Sequence, residues 1–363
     1  MANTFLNLTL LIFLHLSMPT FSMKLTTILT DQSALFALKD HVIHDPDNVL
    51  TINWIGVRCG FKHRRVTSLD LTGFGLVGTL PPHLGNLSFL SLLYLTDNSF
   101  YGRLPVQLSK LRRLKLINLG NNSLSGEIPS WLGSLTELRS LSLYHNNFNS
   151  SIPPFIFNMS SLQIINLKNN ILSGSIPSVP RDLLSLQHIH FSYNNLTAHI
   201  PRDMFDHLPN LKGLYLSFNL LSGRIPTSLC RCKELQILSL SYNHLEGSLP
   251  VEIGNLSMLQ FLYIGQNHFE GEIPKEIGNL TLLEQFDCDS NNFTGTIPRE
   301  IGNLKNLQVL NLGVNNIAGP IPPAIFNISA LLSIALYSNQ LSGHLPSSMG
   351  LWVPNLEELY TLG

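Results

Sequence analysis

Two pairs of residues in this sequence have types and spacing suited to chemistry. Asp287 and Asp289 stand at i and i+2, so on an extended strand both carboxylates face the same way and could work as acid and base or hold a cation. His188 and His190 repeat that spacing with imidazoles, which ligate transition metals. Neither pair has a third ligand, a nucleophile or an enclosing pocket marked in the sequence, and both read as part of a solvated polar face. No catalytic residue, metal site or cofactor is assigned.

The elements that position these pairs are copies of one repeat. Leu235 to Pro250, LQILSLSYNHLEGSLP, is a clear instance, and its Asn slot falls at 74, 98, 122, 146, 170, 194, 219, 243, 267, 291, 315 and 339. The step is 24 residues throughout, except for 25 between Asn194 and Asn219, where DMFDHLPNL is one residue longer. Phe74 alone replaces the Asn. A period of this length carrying Leu-x-x-Leu-x-Leu-x-x-Asn is the signature of leucine-rich repeats. Leu238 and Leu240 alternate along a short strand and point inward, while Ser239 and Ser241 point out. Successive strands are expected to pair in parallel, with stacked Asn side chains satisfying turn backbone groups. Gly247 permits a tight path and is replaced in other copies only by Ser150 and Ala198. Each copy closes on Ile-Pro or Leu-Pro, from Leu80-Pro81 to Leu345-Pro346.

Repetition overrides the two or three globular domains that 363 residues and 44% apolar content would otherwise suggest. A net charge of −1 with 12% charged residues gives no basic field, so nucleic acid is excluded as a partner. Phe5 to Leu16 form an apolar run of signal-peptide length, with Thr20 and Ser22 as small residues near a cleavage point. Residues 1–22 therefore read as a signal peptide; MANT has no Lys or Arg, which leaves an uncleaved anchor as the alternative. Residues 23–65 form an N-terminal cap, in which Thr30 and Asp31 are expected to start a short helix through Ala34, Leu35, Leu38 and Val42 that ends before Asp45-Pro46-Asp47. Residues 66–346 hold twelve repeats. Residues 347–363 read as an incomplete thirteenth, since Thr361 stands where the seventh copy has Leu216. No segment after the signal is long and apolar enough for a transmembrane helix. Cys232 and Cys288 occupy slots filled elsewhere by Leu87 and Leu240 and read as small core hydrophobes, with Cys230 two residues from the first.

Recognition would be written in the outward strand positions. These carry Tyr94, Tyr144, Lys168, His190, Tyr215, Tyr263, Asp287, Asp289 and Tyr337, and exposed Tyr offers contact area at low entropic cost. Against this stands the good strand propensity of Tyr. Tyr193, Phe218 and Tyr242, each just before the Asn, are expected only to stack along the ladder. With Lys115, Arg139 and Lys168 early and Asp287 and Asp289 late, the inner face would also orient a charged peptide. Nine Asn-x-Ser/Thr sequons follow the signal, at Asn86, Asn121, Asn149, Asn158, Asn195, Asn255, Asn279, Asn292 and Asn327. Asn86, Asn158, Asn255, Asn279 and Asn327 share one slot on the outer segment and are the expected glycosylation sites.

The LxGxIP form of the repeat, the segment DQSALFALKDHV and the run Trp54-Ile55-Gly56-Val57-Arg58-Cys59 together resemble the extracellular region of plant leucine-rich-repeat receptor-like Ser/Thr kinases. HRRVTSLDLTGFGLVGTLPPHLGNLSFL is similar to the start of the group that includes pattern-recognition immune receptors. The resemblance implies an α/β solenoid, a right-handed superhelix with a parallel β-sheet on its concave face and an N-terminal helical cap. It implies a peptide or protein ligand in immune or developmental signalling, a leucine-rich-repeat co-receptor kinase, and a location outside the cell, secreted or at the plasma membrane. The family's transmembrane helix and kinase are not in this chain, which has no Gly-rich phosphate loop, HRD or DFG, so the chain is expected to be a non-catalytic fragment that reaches a membrane only through missing segments. The family's cap usually carries a disulfide. Ile52 stands at its first Cys position, leaving Cys59 without the expected partner. The second function class that the resemblance brings is a secreted inhibitor of microbial cell-wall-degrading enzymes, or a soluble decoy. Such inhibitors end in a Cys-containing cap, and this chain ends inside a copy.

Overall fold

In each repeat the Leu-x-Leu alternation becomes a short strand whose middle residue enters the core, as Leu238 does with no exposed surface. The computed structural model describes residues 19–50, 54–345 and 353–361. Residues 1–18 of the expected signal peptide, as well as Ile52 and Pro346, lie outside the described residues. The chain divides into one unit ending at Ser125 and another beginning at Gly126.

The first unit opens with helix α1, Pro19–His41. Ala34 and Leu38 are fully buried, and the helix packs against the 3₁₀ turn Pro82–Asn86 of the first repeat. This covers apolar surface at the end of an array, as a solenoid cap must. The expected start at Thr30 and Asp31 is corrected: Asp31 lies within the helix, and Val42 begins a strand, Val42–His44, antiparallel to Val77–Thr79. Asp31 has a different task. Its carboxylate accepts from Arg65 Nε at 2.8 Å, from Arg65 Nη2 at 2.7 Å and from the Val66 backbone N–H at 2.9 Å. Both side chains are buried, at 5% and 7% exposure. A buried guanidinium needs an anion, so the helix supplies a ligand rather than a cap. The turn signal after the helix folds as expected, with Asp45 accepting from the N–H groups of Val49 and Leu50.

Strand β1 (Val66–Asp70) pairs with Val57–Cys59 antiparallel on one side and with β2 (Leu92–Tyr94) parallel on the other, and β2 pairs with β3 (Leu116–Asn118). In the second unit the parallel ladder runs through β4 (Ser140–Ser142), β5 (Ile164–Asn166), β6 (His188–His190), β7 (Gly213–Tyr215), β8 (Ile237–Ser239), β9 (Phe261–Tyr263), β10 (Gln285–Asp287), β11 (Val309–Asn311), β12 (Ser333–Ala335) and β13 (Glu358–Tyr360). Equivalent slots lie opposite one another, as in Leu238 beside Leu214 and Leu262. The step after Ile-Pro is a 3₁₀ turn, begun by Pro226, Pro250, Pro274 and their equivalents with φ near −65°. The fifth repeat has none: Pro180 stands where Leu229 in the seventh repeat donates its N–H to the Pro226 carbonyl, and a proline has no such donor. Ser150 and Ala198, in the Gly slot, hold φ of 71° and 64°. The backbone shape is thus kept where the residue preferring it is not.

The expected Asn ladder is present in both units. Asn243 Nδ2 donates to the carbonyls of Leu216, Leu240 and Ser241 at 3.0, 3.0 and 3.3 Å, and its Oδ1 accepts the Leu221 N–H at 3.0 Å. Asn98 does the same with Leu71, Leu95, Thr96 and Leu76 in the first unit.

Asn243→Ala leaves these buried groups unpaired and should cost roughly 2–3 kcal/mol, read as a lower urea midpoint with faster hydrogen exchange at the Leu221 amide. An unshifted midpoint would mean that the ladder is not supporting the turns. Asp31→Ala strands the Arg65 guanidinium and should cost about 3 kcal/mol or more in chemical denaturation. The double variant Asp31→Leu/Arg65→Met should recover most of that loss.

Candidate ligand-recognition face

Strand residues that alternate with the core positions leave the sheet on its open side and form columns down the repeats. The last strand residue builds a column in each unit, holding Tyr94 in the first and His190, Tyr215, Tyr263 and Asp287 in the second. A second column, two residues further on, holds Tyr144, Lys168, Asp289 and Tyr337. All nine side chains are partly exposed. Lys115 and Arg139 fall one residue before β3 and β4, out of step with both columns, so Lys168 is the cation among the candidates.

The second unit brings several candidates together. The His190 and Tyr215 rings stack at 4.0 Å and 10°, and His188 lies 5.9 Å from His190. Tyr193, Phe218 and Tyr242 stack as expected, at 4.2 and 4.1 Å, with Lys168 Nζ 5.3 Å from the Tyr193 ring centroid. Between the two aromatic columns runs a groove of about 310 Å³ whose lining includes Ser192, Ser217, Ser239 and Ser241. Ser239 and Ser241 were placed outward by the repeat pattern, but none of the four serines stood among the candidate contact residues. The sequence did carry a signal for them: Ser-aromatic-Asn occurs in three successive repeats, at 192–194, 217–219 and 241–243.

Burial pushes His190 down to about 4, helped by His188 and Lys168, and burial with Lys212 lowers His188 as well. Among the described residues no group of three or more His, Cys, Asp or Glu is placed to hold a metal. Asp287 is raised from 3.8 to about 6, chiefly by burial and further by the Asp289 charge, against the Asp289 N–H that donates to Asp287 Oδ1 at 3.2 Å. Asp289 Oδ2 accepts from Ser290 Oγ at 2.8 Å and Gln266 Nε2 at 3.3 Å. Tyr263 donates its hydroxyl to Gln285 Oε1 at 2.7 Å. The acidic pair is therefore half-sheltered rather than freely solvated.

The four cysteines are unpaired, with Cys59 exposed and Cys230, Cys232 and Cys288 buried. Burial raises Cys230 to about 11 and Cys232 to about 12, which keeps both as unreactive thiols. Asn86, Asn158, Asn255, Asn279 and Asn327 are exposed, each as the last residue of a 3₁₀ turn.

Leucine-rich-repeat family models match residues 160–221, and residues 113–135, 137–159, 234–256, 258–280, 282–304 and 306–328, together more than half of the chain. The chain belongs to the leucine-rich-repeat family. This leucine-rich-repeat chain is similar to the solved plant peptide hormone receptor RGFR1 in complex with RGF2, at 38% identity and TM-score 0.76, over 81% of this chain and 46% of that one. It is also similar to PEPR1 in the PEPR1–AtPEP1 structure, at 29% identity and TM-score 0.68, over 91% and 55%. A curated relative, the LRR receptor-like serine/threonine-protein kinase EFR of Arabidopsis thaliana, is 62% identical over 48 residues, 13% of this chain and 5% of the kinase. The chain thus matches a small part of that relative and about half of each solved ectodomain. Among the described residues no helix is long and apolar enough to cross a membrane.

The raised Asp287 sets a sign for pH. The folded state binds a proton more tightly than the unfolded chain, so stability falls as pH rises from about 4 through about 6. Asp287→Asn should melt with the wild type near pH 4 and at a higher temperature at pH 7. Equal melting temperatures at both pH values would contradict a buried Asp287 carboxylate.

Proposed function

We propose that this leucine-rich-repeat chain is the ligand-recognition region of a plant cell-surface receptor of the receptor-kinase type. It lies outside the cell, binds a peptide or protein through the open face of its second unit, and has no catalytic activity of its own. Phosphorylation belongs to a kinase beyond these residues, and pairing with a leucine-rich-repeat co-receptor kinase completes the signal. The observation that carries this reading is the RGFR1–RGF2 likeness, 38% identical over 81% of the chain, together with an aromatic and charged open face. Tyr215, Tyr263, His190, Lys168, Asp287 and Asp289 are the residues assigned to contact, with Tyr144 and Tyr337 further along the second unit and Tyr94 on the first. Immune or developmental signalling is the process proposed, in keeping with the likeness to the peptide hormone receptor RGFR1.

Glycans at Asn86, Asn158, Asn255, Asn279 and Asn327 belong to the same reading. Each stands exposed at the end of a 3₁₀ turn, clear of the open strand face. By contrast, the Asn121 amide already donates to Asp97 Oδ1 at 2.8 Å. Secretion from plant cells followed by glycopeptide mass mapping should find sugar at most of the five.

A phage-displayed random peptide library panned on the secreted protein should enrich binders. Removing two aromatic anchors in Tyr215→Ala/Tyr263→Ala should weaken them about tenfold or more. Absence of any enrichment, coupled with stoichiometric inhibition of a fungal polygalacturonase, would replace the receptor reading with the inhibitor one.

A further inference from the structure

The groove of the second unit is asymmetric in shape and in charge. Along its first wall His190 covers one face of Tyr215, and the next strand offers Ser239 at the paired position, followed by Tyr263. Tyr263 is tied away from Ser239 by its bond to Gln285, in the strand beyond. A notch opens at Ser239 between two tyrosines. Ser217 Oγ and Ser239 Oγ bond to each other at 2.7 Å, whereas Ser241 Oγ is buried with no protein partner.

Charge differs at the two ends. Lys168 is three repeats before Ser241, beside Tyr193. Two repeats beyond Ser239, the carboxylates of Asp287 and Asp289 converge on Gly265, which follows Ser241 in its column. A Cβ placed on Gly265 would overlap Asp289 Oδ1 and lie 3.3 Å from Asp287 Oδ1. Only a residue without a side chain leaves that space to the two oxygens. Both are thus turned over Gly265, one strand beyond Ser241, where the groove's lining has ended at Tyr263. Tyr263 also feels the Asp287 charge, after burial, in its raised value.

We propose that this groove takes an extended peptide crossing the strands, with an aromatic side chain seated in the Ser239 notch and a Lys or Arg about three residues away at Asp287 and Asp289. The spacing follows from geometry: two strand steps of about 4.8 Å equal about three residues of extended chain at roughly 3.3 Å each. By the same measure an acidic residue about four positions to the other side reaches Lys168. A neutral glycan fits less well, since it would leave both charged ends unmatched and would find the ring faces of Tyr193, Phe218 and Tyr242 largely covered by one another. The inference rests on the recognition reading above and gives it a sequence pattern.

The test uses the full chain and two capped octapeptides, acetyl-Asp-Gly-Ser-Gly-Phe-Gly-Ser-Arg-amide and the reversed order, by titration calorimetry. One order should bind, and exchanging its Phe for Ala should weaken it about tenfold. Ser239→Trp should fill the notch and do the same, with Ser239→Leu as a milder filling should the larger side chain impair folding. Exchanging the peptide Arg for Gln should weaken binding to the wild type and leave binding to Asp287→Asn/Asp289→Asn unchanged. The proposal is overturned if neither octapeptide binds, or if binding ignores the notch variants, while library peptides are still captured through Tyr215 and Tyr263. Failure of octapeptides and library together would overturn the recognition reading as well.

Discussion

The whole array depends on what one amide does at the end of each strand. The chain turns there, leaving inward carbonyls that have no strand partner, and a buried carbonyl without a donor is costly. Asn267 Nδ2 meets three of them, at Leu240, Ile264 and Gly265, and its Oδ1 takes the Leu245 N–H from the preceding repeat. The same side chain thus closes its own turn and fastens it to its neighbour. The 25-residue copy shows which part of the coil must stay constant. Asn219 reaches back to Phe191 and Leu196, each one residue further in sequence than the usual offset, with bonds of 3.1 and 3.0 Å. The extra residue is absorbed on the other side, where the 3₁₀ turn Met204–His207 starts from Asp203 rather than from a proline.

That amide also dictates the conformation of its neighbour. The residue before each Asn is left-handed, with φ between 47° and 59° from Asp97 to Ser338. Asp, Asn and Ser suit that region, whereas bulky and β-branched residues do not. Val314 nevertheless holds φ of 51°. Backbone satisfaction therefore outranks local preference in this coil. Where the slot holds Tyr193, Phe218 and Tyr242, ring stacking at about 4 Å offsets part of the strain.

Much of this was legible because it is periodic. The Leu, Asn, Gly and Pro slots each solve one backbone or core problem repeat after repeat, and even Ser150 and Ala198 could be identified as departures before their φ values were known. The helix was placed correctly by its apolar Ala34, Leu35 and Leu38, but its polar residues were misread. Asp31 fits a cap signature, and only the distant Arg65 reveals that it is a buried counter-ion. Pro180 was visible, although its effect, the loss of a 3₁₀ turn, follows from a missing N–H donor that a Leu-and-Asn pattern does not report. Outward residues carry no period through the array, beyond the Ser-aromatic-Asn run of three repeats. Their grouping had to come from register, which puts Lys115 and Arg139 out of step with the columns while stacking His190 on Tyr215.

The acidic pair is where this matters most. In sequence, Asp287 and Asp289 could be dismissed as two carboxylates on a wet face, and a wet carboxylate keeps its ordinary affinity for protons. Asp287 does not, because its surroundings shelter it even with no partner bound. The fold tolerates a sheltered charge there by supplying donors: the Asp289 N–H serves Asp287, while Ser290 and Gln266 serve Asp289. Those bonds hold the carboxylates in place without neutralising them, and the missing side chain of Gly265 leaves room above its backbone for Asp289 Oδ1 and Asp287 Oδ1. Shelter and orientation suit the binding of a cationic group, since shelter strengthens the attraction and orientation removes part of the entropic cost.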